Sequence, residues 1–206
     1  MALQLVFVRH GESEGNRAGA FTGHSASPLT ARGRAQAEAV ARALGDDGVS
    51  ALYASDLRRA VETASPLAAL TGLGLVTRRD LRERDMGEWV GRTFADIEAN
   101  APEDWRRLRA RDLDHRPPGA ETHRECAARV GAALDEIVAS HDEGSVVLVS
   151  HGVAIHHMLR HLLRVSDERT LFHVENCAVQ RLSRSASGTV RVLALNDARH
   201  LRALEV

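Results

Sequence analysis

The chain has 206 residues, 44% of them hydrophobic, which suits one α/β domain with a full core and requires no second one. Its 27 cationic residues against 28 acidic ones leave a net charge of -1, which argues against a protein that works by neutralising a nucleic-acid backbone. Every cation is arginine, since the sequence contains no lysine, and this excludes a Walker phosphate loop and a Schiff-base enzyme, each of which needs an amine.

The opening Met1-Ala2-Leu3-Gln4 has neither the charged region nor the long apolar stretch of a signal peptide, and no later run approaches a membrane span, so a cytoplasmic protein without membrane contact is expected. Leu5-Val6-Phe7-Val8 reads as a buried strand, predicted from Leu3 to Arg9, that runs into Arg9-His10-Gly11-Glu12-Ser13-Glu14-Gly15-Asn16. An arginine fork matches two oxygens of a phosphate, a histidine nitrogen can attack or transfer a proton near neutral pH, and a glycine permits a tight exit. The trio points to phosphoryl chemistry. A loop with Gly11, Gly15, Gly19 and Gly23 follows, then a helix from about Thr30 to Leu44 with Thr30 as its cap.

A strand at Ala51-Leu52-Tyr53-Ala54 leads into Ser55-Asp56-Leu57-Arg58-Arg59, with a helix from about Leu57 to Leu70 begun by Ser55 or Asp56 and closed by Thr71-Gly72. Leu75 to Thr77 is a third short strand. This alternation predicts right-handed crossovers in a parallel sheet with helices on both faces. From Leu81 to Pro118 the composition turns to Arg, Asp and Glu, with helices near Thr93 to Asn100 and Pro102 to Ala110, an insertion of the kind that covers an active site. A helix from about Glu121 to Ser140 buries Cys126, Val130, Ala133, Leu134 and Ile137. The strand Val146-Val147-Leu148-Val149 then ends on Ser150-His151-Gly152, followed by a helix burying Ile155, Leu159 and Leu162, and by strands near Ala178 to Ser183 and Val190 to Leu195. Cys126 on a helix and Cys177 at the start of a buried strand read as core residues without a disulfide or zinc-like spacing.

Two strands that end on histidine matter together, because ligands of parallel α/β sheets sit at the carboxyl ends of strands. His10 and His151 would share one sheet edge, and the third strand delivers arginine to it. Displacement at phosphorus spreads charge over three oxygens, which Arg9 and Arg59 would meet with charge-assisted forks and Asn16 and His151 with further donors. A histidine nucleophile would form a phosphohistidine, with one ring nitrogen unprotonated and the other held by a backbone carbonyl; the residues alone do not rank His10 above His151. The leaving group needs an acid, for which Glu12, Glu14, Glu83, Glu88 and Glu121 are all available. His157 and His161 stand one helical turn apart, with His151 and His156 nearby, but no third ligand is convincingly spaced, and no metal site is expected.

RHGESEGN from Arg9, FTG from Phe21, SPLTARG from Ser27, SDLRRAVETA from Ser55, LRERDMGEW from Leu81, PPGAET from Pro117 and SHG from Ser150 together resemble the histidine phosphatase superfamily, which includes the cofactor-dependent phosphoglycerate mutases. The resemblance spans nearly the whole chain. It implies a single domain over 1–206 with an α/β/α sandwich fold around a mostly parallel sheet, and a helical insertion at about 81–118 over the active site. It implies His10 as nucleophile, Glu83 as general acid and base, and Arg59, directly before alanine, as the phosphate arginine, with Arg58 solvated. Thr22 and Gly23 would shape the pocket, and Gly152 with its successors would offer amides from a helix start. Arg84, Arg92, Arg109, Arg111 and Arg116 are candidates to line an anionic substrate's pocket, although most are expected to be surface charges.

The mutases of this family resemble one another in a His-Tyr-Gly and Leu-x-Gly-Leu-Asn-Lys segment where this chain has Asp85-Met86-Gly87 and Trp89-Val90-Gly91-Arg92-Thr93. Pro117-Pro118-Gly119-Ala120-Glu121-Thr122 instead resembles the compact phosphatases. The resemblance therefore implies a cofactor-free phosphomonoesterase acting on a small phosphorylated substrate, with the mutase and a non-catalytic phospho-ligand binding protein as alternatives. His24 stands in a loop that lacks the family's usual aspartate. The family also contains homodimers, though no interface signature is visible here.

Overall fold

The apolar runs at the first and fourth strands alternate between two cores. The computed structural model describes residues 2–204; Met1, where the leader reading begins, lies outside them. In β1 (Leu3–Arg9), Leu3, Leu5 and Phe7 enter one core while Val6 and Val8 enter the other. In β4 (Gly144–Ser150), Val146 and Leu148 take the first side, Val147 and Val149 the second. A continuous apolar run is what a strand covered on both faces requires.

The remaining strands are β2 (Val49–Ser55), β3 (Leu75–Arg78), β5 (Val179–Arg184) and β6 (Val190–Asp197), in the order β3-β2-β4-β1-β5-β6. The first four run parallel, β5 pairs antiparallel with β1, and β6 antiparallel with β5. The sheet is mixed and mostly parallel. Helices α2 (Ala31–Gly45) and α3 (Arg58–Thr71) pack on the Val6/Val147 side; α6 (His123–Ala139) and α7 (Gly152–Leu162) pack on the other. Between β1 and β4 the outgoing connections leave toward opposite faces, which opens a crevice at the carboxyl ends of these two strands. Their register pairs Arg9 with Ser150, so His10 and His151 emerge side by side.

Helices α4 (Phe94–Asn100) and α5 (Pro102–Arg109) build a third, smaller apolar cluster on Met86, Trp89 and Ile97, joined by Phe21, Trp105 and Leu108. Three local expectations need correction. Neither Ser55 nor Asp56 caps α3: Leu57 is the cap without a side-chain bond, Ser55 Oγ accepts only from Leu57 N, and Asp56 is taken by Arg82 at 2.6 Å. Leu162 is half-buried rather than core, as it lies in the last turn of α7. Cys177 does not begin a strand: it is buried in the turn before β5 with φ 56°, where its N–H donates to Arg9 O at 2.9 Å. The four-residue α1 (Glu14–Arg17), closed by a Ser13/Asn16 capping box, was not evident from the sequence.

Candidate active site

His10 leaves β1 with its N–H bonded to Ser150 O at 2.9 Å, and its ring is held from both ends. Nδ1 donates to Gly11 O at 2.7 Å, so the proton sits on Nδ1, and Nε2 is the lone-pair nitrogen that accepts from Arg59 Nε at 3.2 Å. Burial, then the charges of Arg59 and Arg9, hold the imidazole neutral well below the usual histidine range. His151 lies 5.0 Å away between ring centroids, is fully buried, and is held neutral by burial and the same arginines. Neither of its ring nitrogens has a partner among the described residues.

The two guanidinia are tied down by backbone carbonyls. Arg59, buried in the first turn of α3, donates to Gly23 O at 2.9 Å and Ser25 O at 3.1 Å; burial lowers it to about 10. Arg9 Nη1 donates to Val174 O at 2.7 Å, while its buried Nε has no partner. Carbonyls orient these forks without neutralising them, so both keep full charge for an anion. Arg58 points away into an exposed i,i+4 pair with Glu62.

The five acids separate by surroundings. Glu12 accepts from Thr30 Oγ1 at 2.7 Å, Glu14 pairs with Arg17 at the surface, Glu88 is exposed, and Glu121 is locked to Arg129 at 2.7 Å. Glu83 alone among them lines the cavity beside the histidines. Its carboxylate accepts from the N–H groups of Arg84, Val153 and Ala154 at 2.9, 3.2 and 3.2 Å. The amides at the start of α7 are therefore spent on Glu83, which corrects the expectation that Gly152 and its successors present them to a ligand. Gly152 itself packs beside the Arg9 guanidinium.

The cavity has a volume of about 590 Å³ and meets the cradle at Glu83. It is lined by Asn16, Thr22, Gly23 and Glu83, by the apolar Phe21, Met86, Phe94 and Leu108, and by an arginine-rich stretch of wall, Arg84, Arg109, Arg111 and His123; Arg84 Nη2 lies 3.2 Å from Met86 Sδ. Of the five arginines considered in the insertion, Arg92 pairs with Asp96 and Arg116 with Glu125, so they are surface charges. A wider depression of about 860 Å³ lies at the amino end of the sheet, around His141, His161 and Arg184, and gathers none of the cradle residues. His157 and His161 point to different partners, His123 and Asp135, so the one-turn spacing does not converge. No group of three potential metal ligands occurs among the described residues, and no described helix is long and apolar enough to cross a membrane.

Several supporting residues gave no sequence motif. Asn176 Nδ2 donates to His10 O at 2.8 Å and to Asn16 Oδ1 at 3.3 Å, linking the turn before β5 to both. His24 Nε2 donates to Glu83 O at 2.8 Å, and Arg129 reaches the same carbonyl at 3.2 Å, so two side chains from distant segments steady the Glu83 backbone. Thr63 was legible in principle: it stands four residues after Arg59, accepts from Gly11 N at 3.0 Å and donates to Arg59 O at 2.7 Å. Gly11 and Gly33 meet back to back, and a methyl on Gly33 would come within 2.0 Å of Glu12 O.

Known proteins resemble this chain over nearly its whole length. The family model for the histidine phosphatase superfamily, branch 1, matches residues 5–198. A probable phosphoglycerate mutase GpmB of Proteus mirabilis is 37% identical over 183 residues, covering 87% of this chain and 84% of that one. The corresponding Enterobacter protein is 35% identical, with 98% and 96% covered. Among solved structures, a mycobacterial glucosyl-3-phosphoglycerate phosphatase complexed with VO3 superposes with a TM-score of 0.88 at 33% identity, covering 96% of this chain and 100% of that one. YhfR of Bacillus stearothermophilus gives 0.89 at 26% identity, covering 98% and 100%. With its motifs in order, its sheet edge carrying paired histidines and nearly its full length matched, the chain belongs to branch 1 of the histidine phosphatase superfamily.

Proposed function

We infer that the chain is a phosphomonoesterase working through a phosphohistidine on His10, with Glu83 as general acid and base. The observation that carries this reading is the fixed tautomer of His10: a neutral ring with its proton tied to Gly11 O and its lone pair at the Arg59 guanidinium, where a phosphate would be bound. Nε2 attacks phosphorus in line as the ester P–O bond breaks, and Glu83 passes its proton to the departing oxygen. Water then attacks phosphorus, the P–N bond breaks, Glu83 recovers a proton from that water, and Nε2 regains its lone pair. Arg9 and Arg59 supply the charge that the equatorial oxygens need, so the scheme calls for no metal. Asn16 and His151 add donors from other directions, Thr22 and Gly23 shape the pocket, and the segment 81–118 covers it as part of a single domain. The small substrate and the all-arginine, near-neutral surface fit a cytoplasmic enzyme without nucleic-acid or membrane partners.

Absence of the mutase tyrosine and lysine favours hydrolysis, because a mutase must grip its phosphoglycerate while excluding water. The mutase remains the second reading, supported by the names of the curated relatives. The deciding experiment measures inorganic phosphate release from a panel of monoesters in chelator, with phosphoglycerate isomerisation followed in the same tubes, for wild type and His10→Ala. Release that survives chelation and vanishes in the variant is expected. Isomerisation faster than release would replace the phosphatase by the mutase, and turnover retained in His10→Ala would remove the nucleophile.

A further inference from the structure

His24 stands between the two carbonyls that pin the Arg59 fork. Arg59 donates to Gly23 O at 2.9 Å and to Ser25 O at 3.1 Å, and the ring of the residue between them donates from Nε2 to Glu83 O at 2.8 Å. The turn that carries this ring is closed on itself: Ser25 N donates to Thr22 O at 2.8 Å, and Gly23 has φ 42°, in the left-handed region that favours glycine. The turn also abuts the segment that bears Glu83, since a methyl on Gly23 would come within 3.1 Å of Met86 N. One tight turn therefore holds Arg59 by its backbone and Glu83 by a side chain.

The other ties of Glu83 run elsewhere. Its carboxylate accepts from the N–H groups of Val153 and Ala154, which fix it to the start of α7, and from its neighbour Arg84. Arg129 donates to Asp80 O, Arg82 O and Glu83 O at 2.9, 3.0 and 3.2 Å, fastening the whole segment to α6. Glu121, which holds Arg129, accepts from Asp85 N at 3.0 Å as well. These bonds secure Glu83 to α6 and α7 on one face of the sheet, whereas Arg59 comes from α3 on the other. Among the described residues, the His24 bond is the one hydrogen bond of Glu83 that leads to the turn holding Arg59. On its other side the ring meets Asp85, with Nδ1 3.5 Å from Oδ2.

We propose that His24 is a positioning residue for the general acid: its bond to Glu83 O sets the spacing between Glu83 and the Arg59 fork, and so between the proton donor and the bound phosphoryl group. The inference rests on the phosphomonoesterase reading above and deepens it. His24 acts through Glu83 and touches no reacting atom. A departing oxygen takes its proton only from an acid within hydrogen-bond reach, and a misplacement of about 1 Å costs on the order of 10²-fold.

Two substitutions that differ by one methylene test the assignment. His24→Gln puts an amide N–H where Nε2 stands, and His24→Asn puts one only where Nδ1 stands; both keep a polar side chain at this partly exposed position. With His24→Asn, kcat/KM should fall about 10- to 100-fold for glycerol 3-phosphate and less than about threefold for p-nitrophenyl phosphate, whose leaving group departs without protonation. That ratio covers only the steps up to departure of the alcohol, so the later role of Glu83 as base does not enter. His24→Gln should recover most of the loss, and inhibition by orthovanadate, which reads the phosphate cradle, should be the same in all three proteins. Equal losses on both esters, or none, would overturn the proposal; equal losses with weaker vanadate inhibition would assign His24 to the turn that pins Arg59 instead. Hydrogen exchange supplies a readout free of turnover. The N–H groups of Val153 and Ala154, which donate to the Glu83 carboxylate, should exchange faster in His24→Asn than in wild type or His24→Gln, while those of Met158 and Leu159, buried deeper in α7, report an intact fold by staying unchanged. Wild type that released phosphate from neither ester would remove the phosphatase reading, and unchanged exchange at Val153 and Ala154 would separately overturn the tie between His24 and Glu83.

Discussion

The phosphate cradle and the arginine wall lie side by side, and they treat the same side chain in opposite ways. In the cradle, Arg9 and Arg59 come from a strand end and a helix start and are pinned by the carbonyls of Val174, Gly23 and Ser25. On the wall, Arg84, Arg109 and Arg111 come from the insertion and are left without carboxylates or carbonyls. Pinned guanidinia are preorganised for one fixed group, which in the proposed reaction is the phosphoryl group. Unpinned ones are suited to what varies, the remainder of the substrate. The comparison predicts that cradle substitutions lower turnover of all esters alike, while wall substitutions change their ranking.

The largest effect expected outside the nucleophile is at Glu83. Glu83→Gln preserves an acceptor for the amides of Arg84, Val153 and Ala154 but cannot give a proton, so kcat on alkyl esters should fall about 10²- to 10⁴-fold. The loss should be much smaller for p-nitrophenyl phosphate, whose leaving group departs without protonation. An equal loss on both esters would show that Glu83 positions the site and does not transfer the proton. Arg59→Gln should cost about 10²- to 10³-fold in kcat/KM, by the same factor for every ester. A factor that depended on the alcohol part would erase the division between cradle and wall.

Acid sensitivity joins the two regions. His123 and His157 on the wall are lowered to about 3 by burial first and by neighbouring cations second, and His10 and His151 in the cradle lie well below 6.5 for the same reasons. The unfolded chain takes up these protons near 6.5 while the folded one refuses them, so stability is full above about pH 6.5 and falls as pH drops toward 3. Each such histidine contributes a slope of about 1.4 kcal/mol per pH unit in that window. Denaturant midpoints measured from pH 7 to pH 4.5 should decline steeply, and His157→Asn should make the decline shallower. Because Nε2 of His10 stays unprotonated, kcat/KM should not fall on its account as pH passes through 6.5; an acid limb centred there that disappeared in no other variant would contradict the neutral ring.

Smaller still is the effect of the packing beneath the cradle. Gly33→Ala drives a methyl toward Glu12 O and should destabilise the chain by about 1–3 kcal/mol, with kcat reduced through displacement of the loop that carries His10. Unchanged thermal stability would mean that the Gly11–Gly33 contact relaxes freely.

How much of this was legible in the sequence follows the same division. Cradle residues stand at strand ends and helix starts, where periodicity breaks at identifiable positions, so the sequence places His10 and His151 on one edge with an arginine beside them, while the family resemblance selects Arg59 over Arg58. The register that pairs Arg9 with Ser150 then makes that edge a site. The wall comes from a segment whose charges have no such period, and no spacing separates Arg109 and Arg111 from Arg92 and Arg116. Only the partners do so: Asp96 and Glu125 claim the second pair. The amides of α7 misled the reading for a related reason, since a helix start attracts any nearby carboxylate, and Glu83 arrives from 70 residues away in sequence. Asn176 and His24 likewise act through contacts that join distant loops, which local pattern cannot show.

The sharpest use of the comparison is also the mildest substitution. Arg58 and Arg59 are adjacent, share a residue type and begin the same helix, so any account based on composition or local charge gives them equal weight. Geometry separates them: α3 turns Arg59 inward to the carbonyls of Gly23 and Ser25, and Arg58 outward to an exposed pair with Glu62. Exposed i,i+4 pairs contribute about 0.3–0.5 kcal/mol, and Glu62 keeps its bond to Leu29 N when its partner is removed. Arg58→Ala should therefore leave kcat/KM for every ester within about twofold and stability within about 0.5 kcal/mol of wild type. If it instead lowered turnover as Arg59→Gln does, the local field of the helix start, rather than the pinned fork, would be what holds the phosphate.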